Sequence, residues 1–198
     1  MIGSALAGEL CRQGAYVQIL ARDPEKARKK FEGHLAVEIL AQSRFDDPES
    51  LSKLIPGTDA VVNLAGANLA SSRWTKSFKN EIYESRIGIT ETLVTAISLS
   101  GTKPSCLINA SAVGIYGNTH DEEVSEESPT GSGFLAKVCK DWEMEAMNAL
   151  KYGVRTVTVR TGIVLDRDEG AFPKLILPFK FFAGTYYGSG KQWFPWIH

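Results

Sequence analysis

The chain has 198 residues, with 22 Lys and Arg against 23 Asp and Glu and a formal net charge of -1 at pH 7. That length holds one nucleotide-binding-sized domain, or one domain and part of a second. The near-neutral balance, with no basic run beyond "KARKK" at 26–30, argues against nucleic acid as a partner. No apolar stretch reaches the length of a membrane span, and the first residues lack the pattern of a signal peptide. A removed transit peptide is compatible with this, so the cytosol and an organelle interior, chloroplast or mitochondrion, are both open as settings. Three widely spaced cysteines, Cys11, Cys106 and Cys139, read as reduced thiols, and no His or Cys cluster suggests a metal.

The sequence opens inside a helix. Ile2, Leu6 and Leu10 share one face, Ala5 and Ala7 favour it, and Gly14 stops it. "YVQIL" (16–20) predicts a short buried strand. Asp23 and Pro24 form a helix start, with "KARKK" as its solvated face. "LAVEIL" (35–40) predicts a strand, Asp47 and Pro48 repeat the helix start, and "DAVVNLAG" (59–66) is a buried strand running into a glycine. A helix is predicted over 81–99, with Ile82, Ile89, Leu93, Ala96 and Ile97 on one face. "SCLINAS" (105–111) is the next strand, followed by an acidic loop over 117–133. A second long helix over 132–151 carries Leu135, Val138, Trp142, Ala146 and Ala149 on one side, and "VRTVTVR" (154–160) is a further strand. From Phe172 the chain turns aromatic and is broken by Pro and Gly.

This alternation predicts an α/β fold, a Rossmann-type doubly wound parallel sheet. A nucleotide-binding domain is expected over 1–170 and the start of a C-terminal substrate subdomain over 171–198. Ligands in such sheets sit at the carboxyl ends of the strands, so the residues after each strand carry the functional weight. Arg22 follows the strand 16–20, where a cation can pair with the 2′-phosphate of NADP or simply lie exposed at a helix start. "NLAGAN" (63–68) is either a wall for a flat ligand or a plain small-residue turn, with Asn63 fixing the loop and Ala65 and Gly66 lacking bulk. In "NASAVGIYG" (109–117), Ser111 can hydrogen-bond a substrate oxygen. Lys137 can contact a ribose or lower a neighbour's pKa, or serve as a solvated helix lysine.

Together, "IGSALAGEL", "NLAGANLASSRW", "SRIGITETLVTAI", "INASAVGIYG", "SPTGSGFLAKVCKDWE", "RTGIVL" and "WIH" resemble the extended, epimerase-like form of the short-chain dehydrogenase/reductases. The narrower likeness is to the branch described as sugar-nucleotide epimerase or cell-division-inhibitor-like, and it covers essentially the whole chain. The resemblance implies NADP, or NAD, held by Gly3, Arg22, Asn63, Leu64, Ala65, Gly66, Ala110 and Thr161. It implies catalytic roles for Ser111 and Lys137, and substrate contacts from Arg73, Trp74, Arg86, Tyr116 and Trp196, with the terminal His198 beside them. A small-molecule substrate is expected, a carbonyl compound or a sugar nucleotide, and the two long helices are those that pair in dimers of many relatives.

The sequence departs from the family pattern in two places. Relatives begin with a strand and a "GGTGFIG"-like turn, of which Ile2 and Gly3 match the end. A central strand leaves buried edges unpaired when absent, at about 1–3 kcal/mol per unsatisfied group, against a net stability of roughly 5–15 kcal/mol. The expectation is therefore an N-terminal strand outside this sequence, or another chain in its place. The second departure concerns catalysis. The usual Tyr four residues before the Lys is Gly133 when counted from Lys137 and Ala136 from Lys140, and Ser111 competes with Ala112 for the serine position. A non-catalytic nucleotide-binding regulator or scaffold is thus the alternative to an oxidoreductase or epimerase, and a truncated, inactive product is a third reading.

Overall fold

The computed structural model describes residues 1–40, 46–184, 186 and 188–198, in two compact units, Met1–Asp47 and Pro48–His198. The expected functional division at residue 170 falls inside the second unit.

In the first unit, α1 (Ile2–Arg12) leads to β1 (Val17–Leu20), then α2 (Pro24–Lys30) and β2 (Val37–Leu40). The α2 start follows its chemistry: Asp23 accepts from the Lys26 amide at 3.0 Å and Pro24 fills the first helical position. No residue of α2 is buried, as a solvated basic face requires. β1 and β2 form a parallel ladder with Val17 opposite Val37 and Leu20 opposite Leu40.

The second unit begins with α3 (Pro48–Ser52) and β3 (Ala60–Asn63). Next come α4 (Lys76–Glu84), α5 (Ile87–Leu99) and β4 (Cys106–Ala112), then α6 (Phe134–Met147) and β5 (Arg155–Thr161). β3, β4 and β5 form a parallel sheet in that order. The chain ends in β6 (Ile163–Val164), α7 (Phe172–Lys180) and β7 (Trp196–Ile197), with β6 and β7 paired in parallel. This pair joins "RTGIVL" to "WIH". A Cβ on Gly162 would lie 2.9 Å from the Pro195 carbonyl oxygen, so the close approach requires glycine there.

The predicted helix over 81–99 is two helices. Ser85 and Arg86 interrupt it because their side chains turn back onto the preceding turn: Ser85 Oγ and Arg86 Nη1 both donate to the Ile82 carbonyl, each at 3.2 Å. The upstream segment starts earlier than its apolar pattern, at Thr75, whose hydroxyl caps the Phe78 amide at 3.2 Å. The second long helix gives way at Asn148 to a 3-10 turn reaching Tyr152. Of its predicted packing face, Val138, Trp142, Ala146 and Ala149 are buried and Leu135 is half-buried. Phe78 and Ile82 of α4 meet Val138 of α6 at the centre of this core, flanked by Leu69, Tyr83, Ile87 and Phe134. All three cysteines are free, with Cys139 buried. Among the described residues, no helix is long and apolar enough to cross a membrane.

Candidate nucleotide and substrate site

β3 ends at Asn63, and its side chain is the centre of a buried polar network. Asn63 Nδ2 donates to Asn109 Oδ1 at 2.7 Å and to Thr90 Oγ1 at 2.9 Å. Thr90 Oγ1 also accepts from Trp142 Nε1 at 2.9 Å and donates to the Arg86 carbonyl at 2.7 Å. Asn109 Nδ2 donates to the Ala110 carbonyl at 2.8 Å. β3, β4, α5 and α6 are thereby tied together, and no buried polar side-chain atom among the described residues is without a partner.

The same network shapes the turn after β3. Asn63 Oδ1 accepts from the Ala65 amide at 3.1 Å, and the Ala67 amide donates to Ser85 Oγ at 2.9 Å. Arg86 Nη2 donates to the Ala67 carbonyl at 3.1 Å. Leu64 is exposed and Gly66 half-buried, so the turn is a fixed stretch of backbone with little side-chain cover between its anchored ends. Asn63 fixes the loop as expected from the sequence.

At the end of β4 the geometry is different. Ser111 is buried, on the face of β4 shared with Leu107 and Asn109, while Ala110 and Ala112 lie on the other face. Ser111 Oγ donates to Glu143 Oε1 of α6 at 2.5 Å. Arg160, opposite Ser111 in the β4–β5 ladder, grips both oxygens of Glu143, with Nε to Oε1 and Nη2 to Oε2 each at 2.9 Å. Arg160 Nη1 donates to Tyr116 Oη at 2.9 Å and to the Glu126 carbonyl in the acidic loop at 3.0 Å. Burial pushes the Glu143 carboxyl up, but Arg160 and Ser111 outweigh it and hold the carboxyl below its ordinary value. Glu143 first, and then Tyr116, push the Arg160 guanidinium further up. Thr161 Oγ1 donates to the Ser111 carbonyl at 3.2 Å.

Lys137 belongs to a separate cluster. Its ammonium pairs with Asp141 one turn along α6, and Tyr83 Oη donates to the same carboxylate at 3.0 Å. Lys137 also lies 5.4 Å from the Tyr83 ring centre. Asp141 raises the Lys137 pKa, while burial first and then Asp141 raise that of Tyr83. Ser111 and Lys137, both expected to be catalytic, are thus held by different carboxylates. Lys137 lines a polar cleft of about 450 Å³ with residues 130–133, Lys140 and Asp141.

The position four residues before Lys137 has a defined backbone. Gly133 caps α6 with φ 98 and ψ 176, a conformation that side chains rarely adopt, although a Cβ there would meet open space. Gly133→Tyr therefore restores the motif in sequence alone: we expect it to lower the melting temperature without any gain in carbonyl turnover, measured with NADPH across a substrate panel.

Trp74 is half-exposed and sits edge-on to Phe134, with ring centres 5.8 Å apart, and its indole donates to the Leu69 carbonyl at 2.9 Å. Arg73, Trp196 and His198 are exposed. In the first unit, Gly3 stands in the opening turn of α1, whose amides have no side-chain cap, and Arg22 is exposed directly after β1. No described carboxylate pairs with Arg22. No group of three or more His, Cys, Asp or Glu among the described residues could hold a metal.

The sequence model of the NAD dependent epimerase/dehydratase family matches residues 1–198. The chain belongs to that family. The epimerase family protein ML0860 of Mycobacterium leprae is 41% identical over 198 residues, covering 100% of this chain and 60% of its own length. Epimerase family protein YfhF of Bacillus subtilis is 38% identical, covering 100% of this chain and 62% of its own. The crystal structure of human epimerase family protein SDR39U1 (isoform2) with NADPH matches with a TM-score of 0.78 at 32% identity, over 100% of this chain and 62% of that one. This epimerase-family chain therefore spans about 60% of such relatives' length. Its parallel α/β architecture is Rossmann-like, as that structural match shows.

Within this family member, sequence reading missed Glu143, Arg160, Asp141, Tyr83, Thr90 and Trp142. Glu143 and Asp141 both stood in the quoted "KDWE", and only the packing of α6 against β4 on one side and against α4 on another reveals their partners.

Proposed function

We propose that this chain is the nucleotide-binding part of an NADP-preferring oxidoreductase or epimerase acting on a small carbonyl compound or a sugar nucleotide. The observation that carries the proposal is the turn after β3, a stretch of small residues pinned at both ends by part-buried hydrogen bonds. A flat ring or ribose needs such a wall. Within the second unit, Ala65 and Gly66 present almost no side chain of their own to a flat ligand; within the first, Arg22 is an exposed cation of the kind that pairs with a 2′-phosphate. The human relative with NADPH supports this choice of cofactor. NADP supplies the hydride chemistry when bound.

The chain's own residues would then work as follows. Asn63, Leu64, Ala65 and Gly66 form the wall, with Ala110 and Thr161 at the ends of the neighbouring strands. Ser111 donates its proton to Glu143, so towards a substrate its oxygen can only accept. Lys137 keeps its charge beside Asp141 and can face a ribose hydroxyl across the adjoining cleft. Tyr116 Oη accepts from Arg160, which leaves the phenolic proton for another acceptor. Arg73, Trp74, Arg86 and Trp196 are the substrate-side residues of this reading, and residues 171–198 begin the substrate subdomain. A homodimer would cover Met144 and Met147, both exposed on α6. A cytosolic or organelle-interior setting suits the free thiols.

A second reading, a non-catalytic nucleotide-binding regulator or scaffold, is favoured by one observation: glycine at φ 98 where the family's tyrosine would stand. Fluorescence titration separates the two. The chain is expected to bind NADPH at least about tenfold more tightly than NADH, and Arg22→Glu to abolish that preference, since a charge-assisted hydrogen bond contributes about 1.5–3 kcal/mol. Equal affinities in the unaltered chain overturn the NADP preference. Binding without turnover on a broad carbonyl panel favours the regulator.

A further inference from the structure

Arg86 stands in the break between α4 and α5 and is half-buried, yet no carboxylate among the described residues pairs with it. Its guanidinium lies 5.3 Å from the Trp142 ring centre and donates only to neutral oxygens: the carbonyls of Ile82 and Ala67, and Ser85 Oγ at 3.5 Å. Burial pushes its pKa down from the ordinary arginine value. The contrast with Arg160 is direct, since that arginine faces a bidentate carboxylate. A half-buried cation without a counter-charge is partly desolvated, and an anionic ligand would offset that cost.

The surroundings of Arg86 indicate where such a ligand would lie. A Cβ on Gly66 would come within 3.0 Å of the guanidinium carbon, so the cation sits against the one position of the turn that has no side chain. The Gly66 amide donates to no described residue, whereas the amides on either side, Ala65 and Ala67, are both satisfied by side chains. Arg86 Nε likewise has no described acceptor. The guanidinium carbon and both terminal nitrogens of Arg86 thus lie against Gly66, whose own amide is uncommitted, at the carboxyl end of β3.

We propose that Arg86 and the Gly66 amide form an anion subsite, taking a phosphate or carboxylate oxygen of the ligand on this turn. The proposal rests on the preceding reading only in placing a ligand at the turn. The anion could come from the dinucleotide's phosphates or from an acidic substrate, and the two sources separate experimentally.

The test uses the full chain with inorganic pyrophosphate, NADPH and uridine diphosphate as probes, by isothermal titration calorimetry at fixed salt. Arg86→Gln is expected to weaken pyrophosphate binding about tenfold or more. Arg86→Lys, which keeps the charge but loses the planar fork, is expected to weaken it by less. A parallel loss for NADPH assigns the anion to the dinucleotide. Unchanged NADPH affinity with a loss for uridine diphosphate assigns it to the substrate. A folded Arg86→Gln chain that binds all three probes like the unaltered chain overturns the proposal. If Arg86→Gln does not fold, Arg86→Lys decides, and unchanged pyrophosphate binding there overturns it too. An unaltered chain that binds pyrophosphate but not NADPH contradicts the cofactor assignment and leaves the subsite standing.

Discussion

Replacing Glu143 with Gln is expected to cost about 3–5 kcal/mol of unfolding free energy, read from urea denaturation, because it leaves Arg160 without its charge partner in a mostly dry setting. The Glu143 and Arg160 side chains retain only 13% and 22% of their exposure, so solvent can do little to replace the lost pair. The loss should spread beyond the pair. Arg160 also holds Tyr116 and the Glu126 carbonyl, so amides over 117–133 should exchange faster in the variant. The pH dependence has a definite sign. Glu143 is held below its ordinary carboxyl pKa in the folded chain, so the pair's full contribution is present above that ordinary value. It is lost as pH falls through the lower folded pKa. Glu143→Gln should therefore be less stable at neutral pH and lose less further stability on acidification than the unaltered chain. A loss under about 1 kcal/mol would place the pair among exposed bridges and contradict this account.

Asn63→Leu is expected to cost about 2–5 kcal/mol, since it leaves buried Asn109 Oδ1 without a donor and the Ala65 amide without its acceptor. Thr90 Oγ1 keeps Trp142 as a donor, so the damage falls on the turn rather than on α5. NADPH affinity of the folded fraction should fall about tenfold as the wall loosens, a change of about 1.4 kcal/mol. A large stability loss with NADPH affinity unchanged would mean that the turn is a structural element and not a ligand wall.

Much of the fold was legible because it depends on local chemistry. The Asp23–Pro24 helix start, the places of the strands and the stripe of Val138, Trp142, Ala146 and Ala149 all follow from spacing and capping, although β1, expected to be buried, holds no buried residue. The single helix over 81–99 was not, because its break comes from Ser85 and Arg86 reaching back to Ile82 and across to the turn after β3, contacts that periodicity cannot encode. In the candidate site, Asn63 was legible as the loop's anchor because an Asn can bond the amide two residues on. The partner of Ser111 was not. Glu143 lies 32 residues away, and it meets Ser111 only because the β4–β5 register sets Arg160 opposite the serine. The identity of a candidate residue was readable at these positions, whereas the direction of its hydrogen bond was not.

On the proposed reading, the small-residue turn after β3 carries the dinucleotide. Amide chemical-shift mapping of the ¹⁵N-labelled chain, titrated with NADPH, tests it most directly. A dinucleotide seated on this turn gives saturable shifts at Ala65, Gly66 and Ala67. Saturable shifts confined to other residues, with these three amides unmoved, would contradict it.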